Sequence, residues 1–374
     1  MKSKISRRVM TLAVAAALGM STAASASPDQ AVAAVMESAS QELIHLLPQP
    51  GFVEHLRLAL EQGGGDTVRL SEVMRQYDPG MRTVTAAHLR QAGQRLRDVK
   101  GLPEEGVDLL QLRLLLPEGT RLADVRPDQL RLAATPIGDQ RRSPMLKAHA
   151  TDGNVIQIDT NARPAFPLLL VEVDTRASLS EGMEMINAGL QAQGMQTLPR
   201  APEPGETLDI SRLDHIRLAV DQESDVKGAA EIFVVVSGLQ LDEKKPEMRT
   251  FEMPWLDHDK TDYYPAQDWI HWGSYRYDAA NVQLFEEDGG TDYKAMLSSL
   301  ITTVGSVIAP LEPTVGVVSV IADAVLKALP DSPFVDDHDY LDSFYLLRRG
   351  ETYRARYGAA ANAVVDVTPV TLTK

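Results

Sequence analysis

Ala230-Glu231-Ile232-Phe233-Val234-Val235-Val236 is the stretch whose reading decides the fold. Branched and aromatic side chains in so dense a run predict a β-strand. A second strand candidate, Ile216-Arg217-Leu218-Ala219-Val220, precedes it, and the acidic turn Asp221-Gln222-Glu223-Ser224-Asp225 follows that strand. Downstream, Asn281 to Glu286 alternates cleanly, with Val282 and Leu284 toward one side. Two more acidic clusters lie in this region, Asp257-His258-Asp259 with Asp262, and Glu286-Glu287-Asp288 with Asp292. Strands that run repeatedly into carboxylate-rich loops predict a β-sandwich whose loops gather oxygen ligands.

On the amino-terminal side the period is that of helices. Val32, Val35, Met36, Ala39, Leu43, Leu46 and Leu47 recur at helical spacing until Pro48-Gln49-Pro50-Gly51 stops them. Further helices fit Phe52 to Leu60, Leu70 to Tyr77 and Thr85 to Val99, the last with Arg90, Arg95 and Arg97 outward. Residues 27–100 therefore form a helical module, read as a packed subdomain, a docking surface or a pro-segment. From Leu109 the pattern changes to strands, at Leu110 to Leu116, Gln129 to Ala133, Val155 to Ile158 and Phe166 to Val173, and a short helix follows at Met183 to Met195. Residues 101–198 are thus β-rich, and the proline-bearing segment 199–205 reads as a linker. The rest, 206–374, is the sandwich domain. It carries an inserted helical hairpin at 295–329, interrupted by Pro310 and Pro313, and closes with strands at Ser343 to Leu347, Glu351 to Arg356 and Ala363 to Val367. The predicted class is α+β, mainly β in its body.

Residues 1–26 read as an export signal. Lys2, Lys4, Arg7 and Arg8 form the basic region, Val9 to Met20 the apolar core, and Ala24-Ser25-Ala26 the cleavage site. Ser6-Arg7-Arg8-Val9-Met10 also resembles a twin-arginine signal, so either export route stays open. A periplasmic or secreted protein is expected. The formal charge of -15 becomes -19 once the four bases of that segment are removed, a field that repels nucleic acid and anionic membranes and gathers cations. With no cysteine, disulfides, thiolate nucleophiles and cysteine metal sites are excluded. No run is long and clean enough for a transmembrane anchor.

Calcium takes six to eight hard oxygen ligands, which clustered carboxylates on loops supply. Asp221, Glu223, Asp225, Asp257, Asp259, Glu286, Asp288 and Asp292 are the candidate ligands, with Asp336, Asp337 and Asp339 as a further cluster. The plain alternative is that these are solvated turns. His258, His271 and His338 stand near aspartates and form a weaker zinc candidate, without a His-Glu-x-x-His motif. No Gly-x-Ser-x-Gly elbow is present. Trp255, Tyr263, Tyr264, Trp269, Trp272, Tyr275 and Tyr277 crowd one segment, as sandwich core or as a surface for a protein, peptide or glycan ligand.

The run Ala230 to Gly238, followed by Met253-Pro254-Trp255-Leu256-Asp257 and Asn281 to Asp288, resembles the DUF3103 family of exported proteobacterial proteins. The likeness covers much of the mature chain and is clearest over 165–292. It implies export and brings no catalytic residues with it. The acidic loops also look distantly like those of calcium-dependent, membrane-binding sandwich modules, a likeness of fold only. The expected role is that of an exported binding or structural protein, calcium-stabilised through its acidic loops. The rival is a secreted hydrolase using a metal or paired carboxylates near residues 255–271.

Overall fold

A computed structural model describes residues 27–137, 145–197, 205–220, 230–241, 244–287, 289–308, 316–329 and 340–373, with the side chains of 307 and 308 left aside. The amino-terminal module consists of α1 (Pro28–Ile44), α2 (Phe52–Gly63), α3 (Leu70–Tyr77) and α4 (Val84–Val99), with the short strand β1 (Thr67–Arg69) between α2 and α3. Ser27 caps α1 in a reciprocal box with Gln30, and Pro28 occupies the first turn, where its missing N–H costs nothing. Val32, Val35, Met36, Ala39 and Leu43 then fall on the buried face of α1.

The first sheet combines β1 with β2 (Leu110–Leu115), β3 (Arg131–Ala134), β4 (Met145–Ala150), β5 (Val155–Asp159) and β6 (Leu168–Val173), in the order β1-β2-β6-β3-β4-β5. Only the β3–β6 pairing is parallel. All six residues of β6 are buried, which is why Leu-Leu-Leu-Val-Glu-Val reads as continuous apolar sequence. Its Leu169, Val171 and Val173 join the core under the helices, while Leu168 and Leu170 meet Leu146, Ala148 and Ile158 on the other face. Next comes α5 (Thr175–Ala192), started by Asp174, whose side chain accepts from Ala177 N.

The body is a sandwich. One sheet holds β7 (Thr207–Leu218), β10 (Gln267–His271), β13 (Tyr353–Tyr357) and β14 (Ala363–Thr373), in the order β10-β7-β14-β13. The other holds β8 (Glu231–Leu239), β9 (Pro246–Glu252), β11 (Ala279–Glu287) and β12 (Tyr340–Arg348), in the order β12-β11-β8-β9. Ile232, Val234, Val236, Val282 and Leu284 fill the space between the sheets together with Trp269, Ile270, Val365 and Val367. The alternate residues Phe233, Val235 and Phe285 face the other way, into the core shared with the helical module. This central sheet is therefore covered on both faces, and the decisive run is apolar throughout for that reason.

Against its outer face lie α5 and the inserted helices, α6 (Tyr293–Ser299), a π-turn at Leu300–Val304, α7 (Gly305–Ile308) and α8 (Gly316–Ala328). Asn281 and Gln283 donate to the carbonyls of Val318 (2.7 Å) and Ala322 (3.2 Å), so two buried amides fix α8 on the sheet. Among the described residues no helix is long and apolar enough to cross a membrane.

Several expectations need correction. Arg97 does not point outward; it is buried at 4% exposure, donates to the carbonyls of Pro103, Glu105 and Val107, and pairs with Glu181 at 2.5 Å. A long aliphatic stem ending in a satisfied guanidinium packs like an apolar side chain, and helical period alone does not reveal it. The helix expected at Met183 to Met195 begins earlier, at the Asp174 cap, and β7 runs back to Thr207 and stops before Val220. Strands β1, β4 and β10 are not predicted by the sequence pattern. The 199–205 linker lies outside the described residues except for Gly205.

Candidate binding cleft

A cleft of about 910 Å³ opens where the first sheet, the start of α5 and one end of the central sheet meet. Its floor is set by strand register. Gln111 stands directly opposite Glu172 in the β2–β6 pairing, and Arg113 sits two residues further along the same face. Gln111 Nε2 donates to Glu172 Oε1 at 2.8 Å, Arg113 Nε to Oε2 at 2.9 Å, and Thr135 Oγ1 makes a longer contact of 3.4 Å. Both charged side chains are 8% exposed. Burial pushes the Glu172 carboxyl up to about 7 against the pull of the Arg113 guanidinium, and the charge of Asp66 adds to the rise. A carboxyl held near neutrality on a cleft wall is a group that changes charge with its occupant.

The amino end of α5 supplies the next wall. Asp174 caps the helix and also accepts from Arg69 Nε at 3.3 Å. One turn on, Ser180 Oγ donates to Glu252 Oε1 at 3.0 Å, and Arg176 Nη2 to the Pro254 carbonyl at 3.1 Å. These two bonds tie α5 to the end of β9, so the cleft is walled from both the first sheet and the sandwich. Glu231, at the start of β8, completes the rim on the sandwich side.

The acids expected to bind calcium take other positions. Asp221, Glu223, Asp225 and Asp288 lie outside the described residues, as do Asp336, Asp337 and Asp339. Asp257 accepts from the Tyr263 hydroxyl at 2.7 Å, Asp259 pairs with Lys260 at 2.6 Å, and Asp292 caps α6 through Ala295 N. Glu286 is buried on β11. Among the described residues no three His, Asp or Glu side chains converge as a metal site. The strand pairing nevertheless carries the roots of three acidic segments to one end of the sandwich. Ala230 donates to the Asp257 carbonyl, and the neighbouring Glu231 pairs in register with Glu287.

The residues weighed for a zinc or carboxylate hydrolase are dispersed. His258 is exposed on a turn, His271 ends β10, and His338 lies outside the described residues. Burial holds the His271 imidazole below its ordinary range. Of the aromatic segment, Trp269, Trp272 and Tyr275 are core, Trp255 and Tyr263 half-buried, and Tyr264 exposed. The cleft lining reaches Pro254 and stops short of Trp255.

Sequence reading passed over Glu172, Arg113 and Arg69. A signal was present: Glu172 interrupts an otherwise apolar strand, and Arg113 stands alone in a leucine run. When a strand is covered on both faces, a lone acid in one and a lone base in its neighbour must meet or be expelled.

The fold defines an α+β protein in which a helix-backed sheet joins a β-sandwich across a charged cleft. By sequence the chain belongs to the DUF3103 family, described as a protein of unknown function, whose model matches residues 34–374. Comparison with curated proteins and with solved structures yields no match.

Proposed function

We propose that the chain is an exported binding protein and that the cleft floored by Glu172 is its ligand site. The observation behind this reading is the pairing of a 910 Å³ cleft, within the size range of small-molecule sites, with a buried ion pair on its floor. Burying two charges beside solvent-filled space brings little stability, so the arrangement is better accounted for by recognition than by folding. The test is calorimetric titration of protein lacking residues 1–26 with small polar solutes, repeated with Arg69→Ala. Arg69 is half-exposed and pairs with Asp174, so its loss leaves the fold intact while changing the cleft's charge and with it the affinity of a charged ligand. Binding of no solute, or binding indifferent to cleft substitutions, overturns the proposal.

Export and calcium belong to the same proposal. Ser27, the residue after the expected cleavage site, already serves as the cap of α1, so cleavage there leaves the first helix complete. Amino-terminal sequencing of protein recovered outside the cytoplasm is expected to begin at Ser27, and a chain retained inside with Met1 in place refutes it. The hydrogen bond from Ala230 to the Asp257 carbonyl and the register of Glu231 with Glu287 put Ala230, Asp257 and Glu287 at one sandwich end, and these residues adjoin in sequence the acids Asp221, Glu223, Asp225, Glu286 and Asp288 of the calcium reading. An ion bound only by the folded state raises the melting temperature. Chelator-stripped protein whose melting is unmoved by millimolar calcium ends that part.

A further inference from the structure

The described lining residues of the cleft include five carboxylates and three guanidinium groups. Two of those carboxylates are matched within the wall, Glu172 by Arg113 and Asp174 by Arg69. Glu252 receives a single hydrogen bond, on Oε1 from a neutral serine hydroxyl, and Asp66 has no side-chain partner among the described residues. Of the guanidinium groups, Arg176 is exposed and spends its Nη2 on a backbone carbonyl. The Glu172–Arg113 pair is the deep one, whereas Asp66 is exposed and Glu252 half-buried.

Resting on the reading of this cleft as the ligand site, we propose that its ligand is an organic cation, carrying a primary ammonium or a guanidinium group received by Glu252 and Asp66 above the Glu172 floor. Three physical terms favour that class. A cation donates charge-assisted hydrogen bonds to carboxylate oxygens that the protein leaves open, roughly twice as strong as neutral ones. A concave wall of low polarisability focuses the negative potential, and the chain's formal charge of -15 extends it outward. The floor carboxyl resists ionisation because of burial and because Asp66 is negative, and the positive charge of an arriving cation works against that resistance. An anionic ligand of similar size meets the reverse of each term, with Arg176 and the half-exposed Arg69 to receive it among the described residues.

Calorimetric titrations with agmatine, lysyl-lysine, citrate and maltose, at 20 mM and 300 mM salt, test the class. Agmatine or lysyl-lysine is expected to bind, more weakly at high salt, and to lose at least tenfold in affinity in Asp66→Asn/Glu252→Gln. Both substituted side chains are solvent-accessible, and the melting temperature of the double variant, measured alongside, is expected to stay within a few degrees of the parent. Binding of citrate or maltose, abolished by Arg69→Ala while the cations fail, overturns the cation assignment and leaves the cleft as the site. Cation binding unchanged in both variants, or no binding by any of the four, overturns the assignment together with the site.

Discussion

Lys100 offers the sharpest test of how the two halves of the chain are joined. It follows the last turn of α4, is fully buried, and donates to Glu287 Oε1 at 2.9 Å and to the Gly289 carbonyl at 3.0 Å. Its ammonium also lies 5.3 Å from the centre of the Tyr293 ring. Lys100→Met keeps the apolar stem and removes the charge, leaving the fully buried Glu287 carboxylate without its cation and the Gly289 carbonyl without its donor. Breaking one side of such a pair costs about 3–5 kcal/mol, whereas replacing both sides is close to neutral. Urea unfolding read by the fluorescence of Trp269 and Trp272, which sit in the sandwich core, should report the single variant at that loss. Lys100→Met/Glu287→Gln should regain at least about 2 kcal/mol of it, because the amide still accepts from Gly289 N. A single-variant loss under about 1 kcal/mol, or a double variant no more stable than the single, refutes the reasoning. A small loss would also revive residues 27–100 as a detachable pro-segment, since Lys100 is the charged bolt between that module and the sandwich.

Glu172 makes folding pH-dependent. Its carboxyl rises from 4.5 to about 7 in the folded chain, so the native state holds an extra proton across that window and stability falls as pH rises through it. The shift corresponds to about 3 kcal/mol, and unfolding free energies at pH 5 and pH 8 should differ by up to that much more in the parent than in Glu172→Gln; equal pH slopes refute it. Gly182 on α5 is where the Tyr293 ring rests, and a Cβ there would overlap the ring. Gly182→Ala should therefore lose about 1–3 kcal/mol in the same urea experiment despite alanine's better helix propensity, and a gain refutes the close approach. Asp342 is fully buried and accepts from the backbone amides of Ser343, Ala360, Asn362 and Ala363. Asp342→Ala strands these donors and should lose about 3 kcal/mol or more, with hydrogen exchange at Ala360 to Ala363 accelerated; unchanged exchange there refutes the anchoring role.

The fold was legible where burial is one-sided and periodic. Leu70 to Tyr77 coincides with α3 and Phe52 opens α2, which runs three residues past the expected end at Leu60, because the apolar stripes are bounded by Pro48-Gln49-Pro50-Gly51 and Asp78-Pro79-Gly80. Val282 and Leu284 were placed on one face and are found together inside the sandwich. Legibility failed where a strand's partners come from far along the chain. Met145 to Ala150 alternates weakly, its outward Met145 being apolar, and it becomes a strand by pairing with β3 and β5. The aromatic segment containing Gln267 to His271 reads as sandwich core or as a surface, and the core reading holds for Trp269, but its strand β10 is not legible because it forms by pairing with the distant β7. Pairing of that kind is a tertiary fact, and local propensity does not encode it.

The site was hidden for a related reason. Clusters of charge mark loops, whereas the two charges that floor the cleft, Arg113 and Glu172, stand singly among apolar residues. Arg97, Lys100, Arg113, Glu172 and Glu287 are all buried, and each finds its counter-charge at a separation no local window spans: Glu181 for Arg97, Glu287 for Lys100, Glu172 for Arg113. Their places share a logic. One pair joins α4 to α5, one joins the end of α4 to the end of β11, and one joins β2 to β6 beneath the cleft. All three lie where the helical module, the first sheet and the sandwich converge, so a ligand in the cleft contacts elements whose mutual positions are fixed by buried charge. Charge pairs hold direction more strictly than apolar contacts, because a hydrogen-bonded carboxylate and guanidinium tolerate little displacement. On this argument the pairs act chiefly as positional pins for the cleft walls. Replacing Arg113 and Glu172 together by apolar residues should then cost affinity for the cleft's ligand far more than it costs stability.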